Sequence, residues 1–523
     1  MNPTIATEGI CFPLVPRFGV SVMKPVFIPH ASYQDFVLQQ LQMHYSSVSF
    51  VIHKDLWPLI TKLWITDLSH ITTMLAPLYD EKGSKPRDPA SMLRSYLVNL
   101  LVRPELGITA WVKEMVTVPL YAILSGFHPG DIPGVGTFYD FFPRLWDSEQ
   151  KNTSAKKKSA RSRKRKPKKG KNGEKAPTAT PGRIKRLVEW FLPRLDQKKP
   201  LPSDRLFDFF ESQILAVSAN SGLLGDTSKL NVAGDGTPVA TSARPRTKST
   251  CTCRAQGLAN CNHPRLYSQP DCDFGWDSSR EKYFNGYHLY VINACDSPHD
   301  LPLYPRLHLA SCHDSVSFVV SSVEFMQRFT LGTLDRILLD AAHDAEAIYR
   351  LINQQNLEPI IDLNKRGKKN TETGGDIQIS PAGVPICPIG KEMKPNGYDH
   401  TKNRQKWRCP LACGSKNSCE KPCSNAKFGR TFHTHSKDNL RLFPKTCRQS
   451  EQWKSIYKRR TSIERSNKRQ KIDYKLESGR HRSTMMWYMR IYEIMMCQHI
   501  DAWYAHRKDE LNTLQDYIFP IAA

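Results

Sequence analysis

Between residues 230 and 363 the chain alternates short apolar runs with amphipathic segments, and this alternation constrains the fold more than any other feature. Five runs have the length and apolar content of strands, at 230–235, 283–295, 303–310, 336–340 and 359–363. Apolar residues recur at helical spacing at 314–329 and 345–355. A turn at 297–300 predicts a hairpin, and the strand–helix–strand order around Asp340 predicts a parallel pair. The sequence therefore predicts an α/β fold.

Two of these predicted strands end in an aspartate. Asp235 closes the first run and is followed by Gly-Thr-Pro, which predicts a turn, and Asp340 closes the run that begins at Arg336. Active sites in sheets with parallel strands lie at the strand ends. A single aspartate at a strand end is more commonly a cap or a turn former. Asp235 and Asp340 alone therefore do not indicate a catalytic site, and a third functional group is needed.

The segment from Tyr457 to Lys471 supplies that group. It lacks Pro and Gly and is rich in Arg, Lys, Glu and Gln, so it predicts one helix. At about 100° per residue, Tyr457, Arg460, Glu464 and Lys471 share a stripe roughly 60° wide. Glu464 is the single carboxylate between residues 458 and 471. A lone carboxylate among phosphate-binding cations suits a metal ligand that acts on a DNA backbone; the alternative is a basic surface helix.

The spacing Tyr457-x2-Arg460-x3-Glu464-x6-Lys471 resembles the Y-(2)-R-(3)-E-(6)-K signature of bacterial insertion-sequence transposases of the DDE type. The resemblance covers roughly residues 85–505, and its specific motifs are this helix and the two aspartates. It implies a ribonuclease-H-like catalytic core, preceded by a helical N-terminal domain that helps to bind the terminal repeats of the element. The family often has Gly-Tyr after the second aspartate, where this chain has Ala341 to His343; His343 and Asp344 are therefore only neighbouring candidates.

The resemblance also implies roles for individual residues. Asp235 would bridge two Mg²⁺ or Mn²⁺ ions, with Asp340 and Glu464 each completing one side. Hard cations about 4 Å apart prefer carboxylate ligands and neutralise charge during an in-line displacement at phosphorus. The DNA-binding candidates lie on the same predicted helix. They are Tyr457, Arg460, Arg465, Lys468 and Lys471.

The charge of the chain indicates a polyanionic partner. Its 523 residues include 75 Lys+Arg against 50 Asp+Glu, which gives a net charge of +25. A ribosomal protein is disfavoured because 40% of the residues are hydrophobic. Pro13, Pro16 and Arg17 interrupt the early apolar run, so neither a signal peptide nor a membrane span is predicted. We expect a soluble, cytoplasmic, nucleoid-associated bacterial protein whose 14 cysteines are reduced or bind metal.

The chain divides into five predicted regions. These are a helical N-terminal domain at 1–150, a basic disordered linker at 151–182, a helical connector at 183–225, the catalytic domain at 226–480 and a C-terminal helix at 481–523. Within the first region, Asp88 and Pro89 predict a helix start. The linker holds eleven Lys or Arg between residues 156 and 171, which indicates either a phosphate clamp or a solvated tether. The apolar stripe of the last helix predicts core packing.

Two cysteine-rich insertions interrupt the catalytic domain, at about 240–280 and 365–450. Four possible zinc ligands lie in the first, Cys251, Cys253, Cys261 and His263, and four more in the second, Cys409, Cys413, Cys419 and Cys423. For each cluster, structural zinc and reduced cysteines in a loop remain alternatives. The basic, aromatic run at 402–408 fits a DNA contact.

The expected function is cleavage at the ends of an insertion sequence and joining of its 3′ hydroxyls to target DNA. Holding two DNA ends together implies a homodimer on double-stranded DNA. Two alternatives stay open: a ribonuclease-H-like nuclease without strand transfer, and an inactive, zinc-dependent DNA-binding regulator.

Overall fold

The structure is a computed structural model. It describes residues 24–45, 52–81, 83–147, 156–158, 181–243, 248–249, 251–258, 261, 263, 265–267, 269, 271–364, 371–372, 377–412, 419–420, 422–479 and 481–511. Most of the predicted linker at 151–182, the possible zinc ligand Cys413 and both chain ends lie outside the described residues.

Seven α-helices precede the linker among the described residues. They are α1 (His30–Tyr45), α2 (Trp57–Trp64), α3 (His70–Leu75), α4 (Pro89–Val102), α5 (Ile108–Thr117), α6 (Pro119–Ser125) and α7 (Val135–Phe141). The predicted start of α4 is confirmed, because the Asp88 carboxylate accepts hydrogen bonds from the backbone of Ala90 and Ser91. Helices α5 and α6 are separated at Val118, since Pro119 cannot donate the hydrogen bond that would continue α5.

The connector is helical, as predicted. It contains α8 (Arg183–Phe191), followed by α9 (Asp204–Phe210), which runs through a π-helical turn at Glu211–Leu215 into α10 (Ala216–Asn220). The Arg328 guanidinium lies 2.7 Å from the Asp204 carboxylate and is almost fully buried. This ion pair fastens the connector to the domain that follows.

A six-stranded mixed sheet forms the centre of the molecule. Its strands are β2 (Leu230–Ala240), β5 (Asp273–Asp277), β6 (Lys282–Ala294), β7 (Pro302–Leu309), β8 (Leu334–Leu339) and β9 (Glu358–Ile361). The order is β5-β6-β2-β8-β9, and β7 shares with β5 the edge of β6 that faces away from β2. Strands β2, β8 and β9 are parallel to one another, and β6 is antiparallel to β2 and β7. The predicted hairpin and the predicted parallel pair are both confirmed.

Strand β2 is longer than the sequence predicted. Asp235 lies in its middle, because β2 pairs with β6 without interruption from Val232 to Ala240. The turn predicted at Gly236-Thr237-Pro238 is therefore wrong.

Helices cover both faces of the sheet. Helix α11 (Asp314–Met326) contacts one face through Phe318, whose ring lies 6.2 Å from that of Tyr290. Helix α15 (Thr484–His506) contacts the other face, where the Trp487 and Tyr287 rings are 6.4 Å apart. The remaining helices are α12 (Glu346–Gln354), α13 (Glu451–Lys458) and α14 (Thr461–Ile472). One continuous hydrophobic core joins the N-terminal helices, α15 and the sheet, which confirms that α15 packs internally.

The insertions form small sheets of their own. Strand β1 (Lys156–Lys158), within the predicted linker, pairs with β4 (Arg265–Tyr267), which also pairs with β3 (Lys248–Ser249). In the second insertion, three short strands pair in order, β10 (Thr371–Glu372), β11 (Gln378–Ile379) and β12 (Pro385–Ile386). A second small sheet follows there, β13 (Lys394–Asp399), β14 (Arg404–Arg408) and β15 (Thr431–His435). In the part of the chain that is described, no helix combines the length and apolar character needed to cross a bilayer.

The core contains a histidine that makes stability depend on pH. His499 is fully buried, its Nδ1 lies 2.8 Å from the Ser218 hydroxyl and its Nε2 lies 2.9 Å from the Pro302 carbonyl oxygen. Burial lowers the pKa of His499 to about 4. His499 takes up a proton near pH 6.5 in the unfolded chain but only near pH 4 in the folded chain. The contribution of neutral, buried His499 to folding stability is therefore complete above pH 6.5 and is lost as the pH falls to 4.

We therefore expect the free energy of unfolding to fall by about 3 kcal/mol over that pH range from this group. Denaturant unfolding between pH 7 and 4 would measure it, and His499→Gln should flatten the decline. The exposed His53 gives the matched control, because His53→Asn should keep the wild-type slope. Equal slopes for all three proteins would contradict the assignment.

Candidate active site and metal centre

The sheet brings Asp235 and Asp340 side by side. The parallel register pairs Ala233 of β2 with Leu338 of β8, and each aspartate lies two residues further along its strand. Adjacent strands are about 4.8 Å apart, so the two carboxylates occupy equivalent positions on neighbouring strands. Asp340 directly follows β8, as predicted.

The structure adds a third carboxylate that the sequence did not indicate. Asp314, the first residue of α11, influences both Asp235 and Asp340 electrostatically, and its Oδ1 lies 2.8 Å from His288 Nε2. An aspartate in the first turn of a helix is common for reasons of capping and helix dipole, so no pattern in the sequence distinguishes Asp314 from a capping residue.

The three acids have different protonation properties. Burial raises the pKa of Asp235 to about 6, and the negative charges of Asp314 and Asp340 act in the same direction. Burial also acts to raise the pKa of Asp314, but the adjacent His288 more than offsets it, so that pKa is lowered. The pKa of Asp340 is likewise lowered, because its hydrogen bond with His343 outweighs burial. Asp235 is thus the acid whose charge costs most.

Two glycines of β2 leave space for Tyr290, Asp314 and His288. A Cβ atom at Gly234 would lie 2.5 Å from the Tyr290 hydroxyl, and one at Gly236 would lie 2.1 Å from Asp314 Oδ1 and 2.2 Å from His288 Nε2. Residues two apart on a strand share a face, so Gly234 and Gly236 open the same surface on either side of Asp235. The glycine that suggested a turn instead makes room for a contact.

His343 links Asp340 to the sheet. Its Nδ1 lies 2.6 Å from Asp340 Oδ1, and its Nε2 lies 3.0 Å from the Tyr290 hydroxyl. Both His343 and Tyr290 are fully buried. The other candidate named after Asp340 has a different role, since Asp344 forms a buried ion pair with Arg441 at 2.5 Å. That pair attaches the second insertion to the sheet.

Glu464 is near this site but is not part of the acid cluster. Its carboxylate forms an ion pair with Arg460 and is half exposed. Arg460 in turn acts electrostatically on Asp235, and its guanidinium lies 5.8 Å from the centre of the Tyr457 ring. The structure therefore brings Tyr457, Arg460 and Glu464 together, with Arg460 between Glu464 and Asp235.

The single helix predicted from Tyr457 to Lys471 is wrong. Helix α13 ends at Lys458, α14 begins at Thr461, and the backbone N–H of Arg460 bonds to the Tyr457 carbonyl three residues earlier. A tight turn of this type rotates the chain differently from an α-helix. The stripe calculated from 100° per residue therefore does not hold across Arg459 and Arg460.

The other predicted DNA-binding residues lie further along α14. Lys471 is partly buried beside Asp277, Arg280 and Glu477, and burial lowers its pKa. The Arg465 guanidinium makes two contacts with the Asp300 carboxylate, at 2.6 and 2.7 Å. Lys468 is exposed. Lys471 therefore does not share the cluster formed by Tyr457, Arg460 and Glu464.

The first cysteine cluster has the geometry of a metal site. The ligand atoms of Cys251, Cys253, Cys261 and His263 all lie within 4.8 Å of one another, and these residues form the one such group among those described. Cys251 Sγ lies 3.5 Å from Cys261 Sγ, and Cys253 Sγ lies 3.2 Å from His263 Nδ1. A hydrogen bond with Cys251, together with burial and the charges of the neighbouring thiols, raises the pKa of Cys253 to about 11, and a bound cation would instead favour the thiolate. Three sulfurs and one imidazole suit tetrahedral Zn²⁺.

The second cluster is only partly described. Cys409 is buried, Cys419 is partly buried and Cys423 is exposed, while Cys413 lies outside the described residues. Trp407, from the run expected to contact DNA, is buried in the small core of this insertion with Cys387, Met393 and Cys447. Its side chain therefore serves packing, and a DNA contact by the rest of the run stays a prediction.

Comparison with known proteins identifies no relative: no family model matches the chain, and no curated protein matches it.

The glycine contacts lead to a stability prediction. Gly236→Ala should lower the free energy of unfolding by about 1–3 kcal/mol, because the added methyl group must displace the Asp314–His288 contact. Gly136→Ala in α7 is the control, since nothing lies within 4 Å of its added Cβ. Thermal unfolding of both variants measures the difference. Equal melting temperatures would show that β2 tolerates a side chain at Gly236.

The cysteine cluster leads to a metal prediction. We expect the purified protein to retain zinc, and Cys253→Ala to retain about one equivalent less. Elemental analysis by mass spectrometry measures the metal content. Cys312→Ser, at a partly buried cysteine outside the cluster, should keep the wild-type content. Equal zinc in wild type and Cys253→Ala would exclude this site.

Proposed function

We propose that the chain is a DDE-type DNA transposase that cleaves the ends of an insertion sequence and joins the 3′ hydroxyls to target DNA. The observation that carries the proposal is the equivalent placement of Asp235 and Asp340 on neighbouring parallel strands, with Arg460 beside them. Acids held together against their own repulsion indicate a functional site.

The topology supports a ribonuclease-H-like core. A strand is followed by a hairpin, a helix, a parallel strand, a second helix and a further parallel strand, and a later helix carries Glu464. This succession is the one expected for that fold. The helices at 30–145 fit the expected DNA-end-binding region.

The acid cluster fits a divalent cation. Burial, together with the negative charges of Asp314 and Asp340, raises the pKa of Asp235; a cation would stabilise its carboxylate, and carboxylate oxygens are the ligands that Mg²⁺ and Mn²⁺ prefer. Asp235 and Asp340 would hold the first ion, and Glu464 would contribute to a second. Bound in this way, the ions would neutralise charge on the attacking and leaving oxygens of a phosphodiester.

Arg460 and Tyr457 would bind the DNA backbone near the acids. Arg460 is paired with Glu464 in the free protein. A phosphate is a good bidentate partner for a guanidinium, so DNA would compete for Arg460 and release Glu464 toward Asp235. The free protein would then keep its carboxylates apart until substrate arrives.

The remaining expectations follow from this assignment. The net charge of +25 suits double-stranded DNA, and strand transfer at two ends requires two active sites, which a homodimer provides. A zinc ion at Cys251, Cys253, Cys261 and His263 would stabilise the first insertion. We place the protein in the bacterial cytoplasm, associated with the nucleoid.

Two other functions remain testable. A nuclease without strand transfer would use the same acids. An inactive, zinc-dependent DNA-binding regulator is the second alternative, and the separation of Glu464 from the acid cluster favours it. Strand joining distinguishes the transposase from the nuclease. Metal-dependent cleavage distinguishes both from the regulator.

The deciding experiment uses purified protein, Mg²⁺ and a duplex copied from the DNA that flanks its reading frame. We expect cleaved and joined products from wild type, and a loss of at least about a hundredfold in Glu464→Gln, because this variant lacks the anionic ligand. DNA binding should be retained.

Glu451→Gln is the matched control, since Glu451 is also a helical glutamate paired with a cation, Lys454. It should behave as wild type. Cleavage without joining would favour the nuclease. Tight binding without chemistry from any of the proteins would favour the regulator.

A further inference from the structure

His343 occupies a position that the proposed chemistry does not yet explain. It is fully buried between Asp340 and Tyr290, with a nitrogen facing each. Its ring also packs edge-on against Phe318, at 5.6 Å between ring centres, and against Tyr290, at 5.9 Å. Packing on these sides fixes the plane of the imidazole.

The hydrogen bonds fix which nitrogen carries the proton. A carboxylate only accepts, so His343 Nδ1 donates to Asp340 Oδ1. The Tyr290 phenol stays protonated, because burial raises its pKa well above the usual range, and in the neutral His343 tautomer that carries its proton on Nδ1 it donates to Nε2. The chain Tyr290–His343–Asp340 therefore runs in one direction and ends on a single carboxylate oxygen.

That oxygen is already occupied by protein donors. Asp340 Oδ1 also accepts a hydrogen bond from the Ala342 backbone N–H at 3.0 Å. Among the described residues, none donates a hydrogen bond to Oδ2, and the Asp340 side chain is 38% exposed. Protein donors thus hold the Asp340 carboxylate through Oδ1, and Oδ2 is available to bind a ligand.

We propose that His343 is a positioning residue: held by Tyr290, it orients Asp340 so that Oδ2 binds the divalent cation of the acid cluster. The inference rests on the proposed function, since it assumes that this cluster binds a cation. Tyr290 reaches His343 because Gly234 leaves space for its hydroxyl, where a Cβ would lie at 2.5 Å. Partners that orient a ligand from behind in this way commonly change metal affinity or activity by about 10–100-fold.

The test measures Mn²⁺ binding by electron paramagnetic resonance in the full-length protein without DNA. We expect His343→Ala to weaken Mn²⁺ binding about 10–100-fold. His343→Asn places an amide N–H where Nδ1 stood and should restore most of the affinity, whereas His343→Gln should not. Tyr290→Phe should show a smaller loss than His343→Ala. His499→Asn, at another fully buried histidine, controls for general destabilisation and should bind as wild type.

A second measurement is independent of the metal. In ¹⁵N spectra of histidine-labelled protein, the signals absent from His343→Asn should report a proton on Nδ1 and none on Nε2. A proton on Nε2 alone would overturn the proposed chain.

The outcomes separate the inference from the proposed function. If wild type binds Mn²⁺ more tightly than Asp235→Asn but His343→Ala binds as well as wild type, the inference fails and the metal site stands. If wild type binds no better than Asp235→Asn, the metal site fails, and the positioning role fails with it.

Discussion

The parallel pairing of β2 with β8 is the constraint on which the rest of the site depends. It sets Asp235 and Asp340 at the same level of the sheet, and it does so through backbone hydrogen bonds that are insensitive to the charge of the side chains. Burial raises the pKa of Asp235 to about 6, and repulsion from Asp314 and Asp340 adds to that shift. Burial in a sheet covered on both faces intensifies that repulsion, because few waters screen it.

Histidines next to two of the acids compensate their charge, and glycines of β2 leave space around them. His288 pairs with the Asp314 carboxylate and His343 with the Asp340 carboxylate; Gly236 leaves space for His288, and Gly234 leaves space for Tyr290, the hydrogen-bond partner of His343. A residue of any size at either glycine would separate Tyr290 or His288 from its partner. Gly234, Asp235 and Gly236 therefore act together. Asp235 supplies the carboxylate, and the two glycines on either side of it have no side chains.

This arrangement explains what the sequence could and could not predict. Periodicity identified the strand that ends at Asp340, the hairpin and α11, because each depends on local alternation of apolar residues. The cysteine spacing identified the first cluster, since its ligands lie within thirteen residues. Asp314 was missed because its proximity to Asp235 arises from tertiary packing. The turn assigned to Gly236 was wrong because a glycine has the same appearance in a sequence whether it bends the chain or admits a neighbour. The break at Arg459 and Arg460 was missed because the residues there are good helix formers, and their ion pairs with Asp296 and Glu464 are not visible in local pattern.

In the proposed function, the position of Glu464 would give the site two electrostatic states. In the free protein, Arg460 pairs with Glu464 and its charge also acts to lower the pKa of Asp235, so one cation compensates two acids. Removing Arg460 to a phosphate would leave both acids uncompensated, and a divalent cation is the partner that could then stabilise them together. DNA and metal would thus bind more favourably together than either does alone, since each relieves the imbalance that the other creates. Arg460 would thus keep Glu464 from joining Asp235 at the metal until DNA binds.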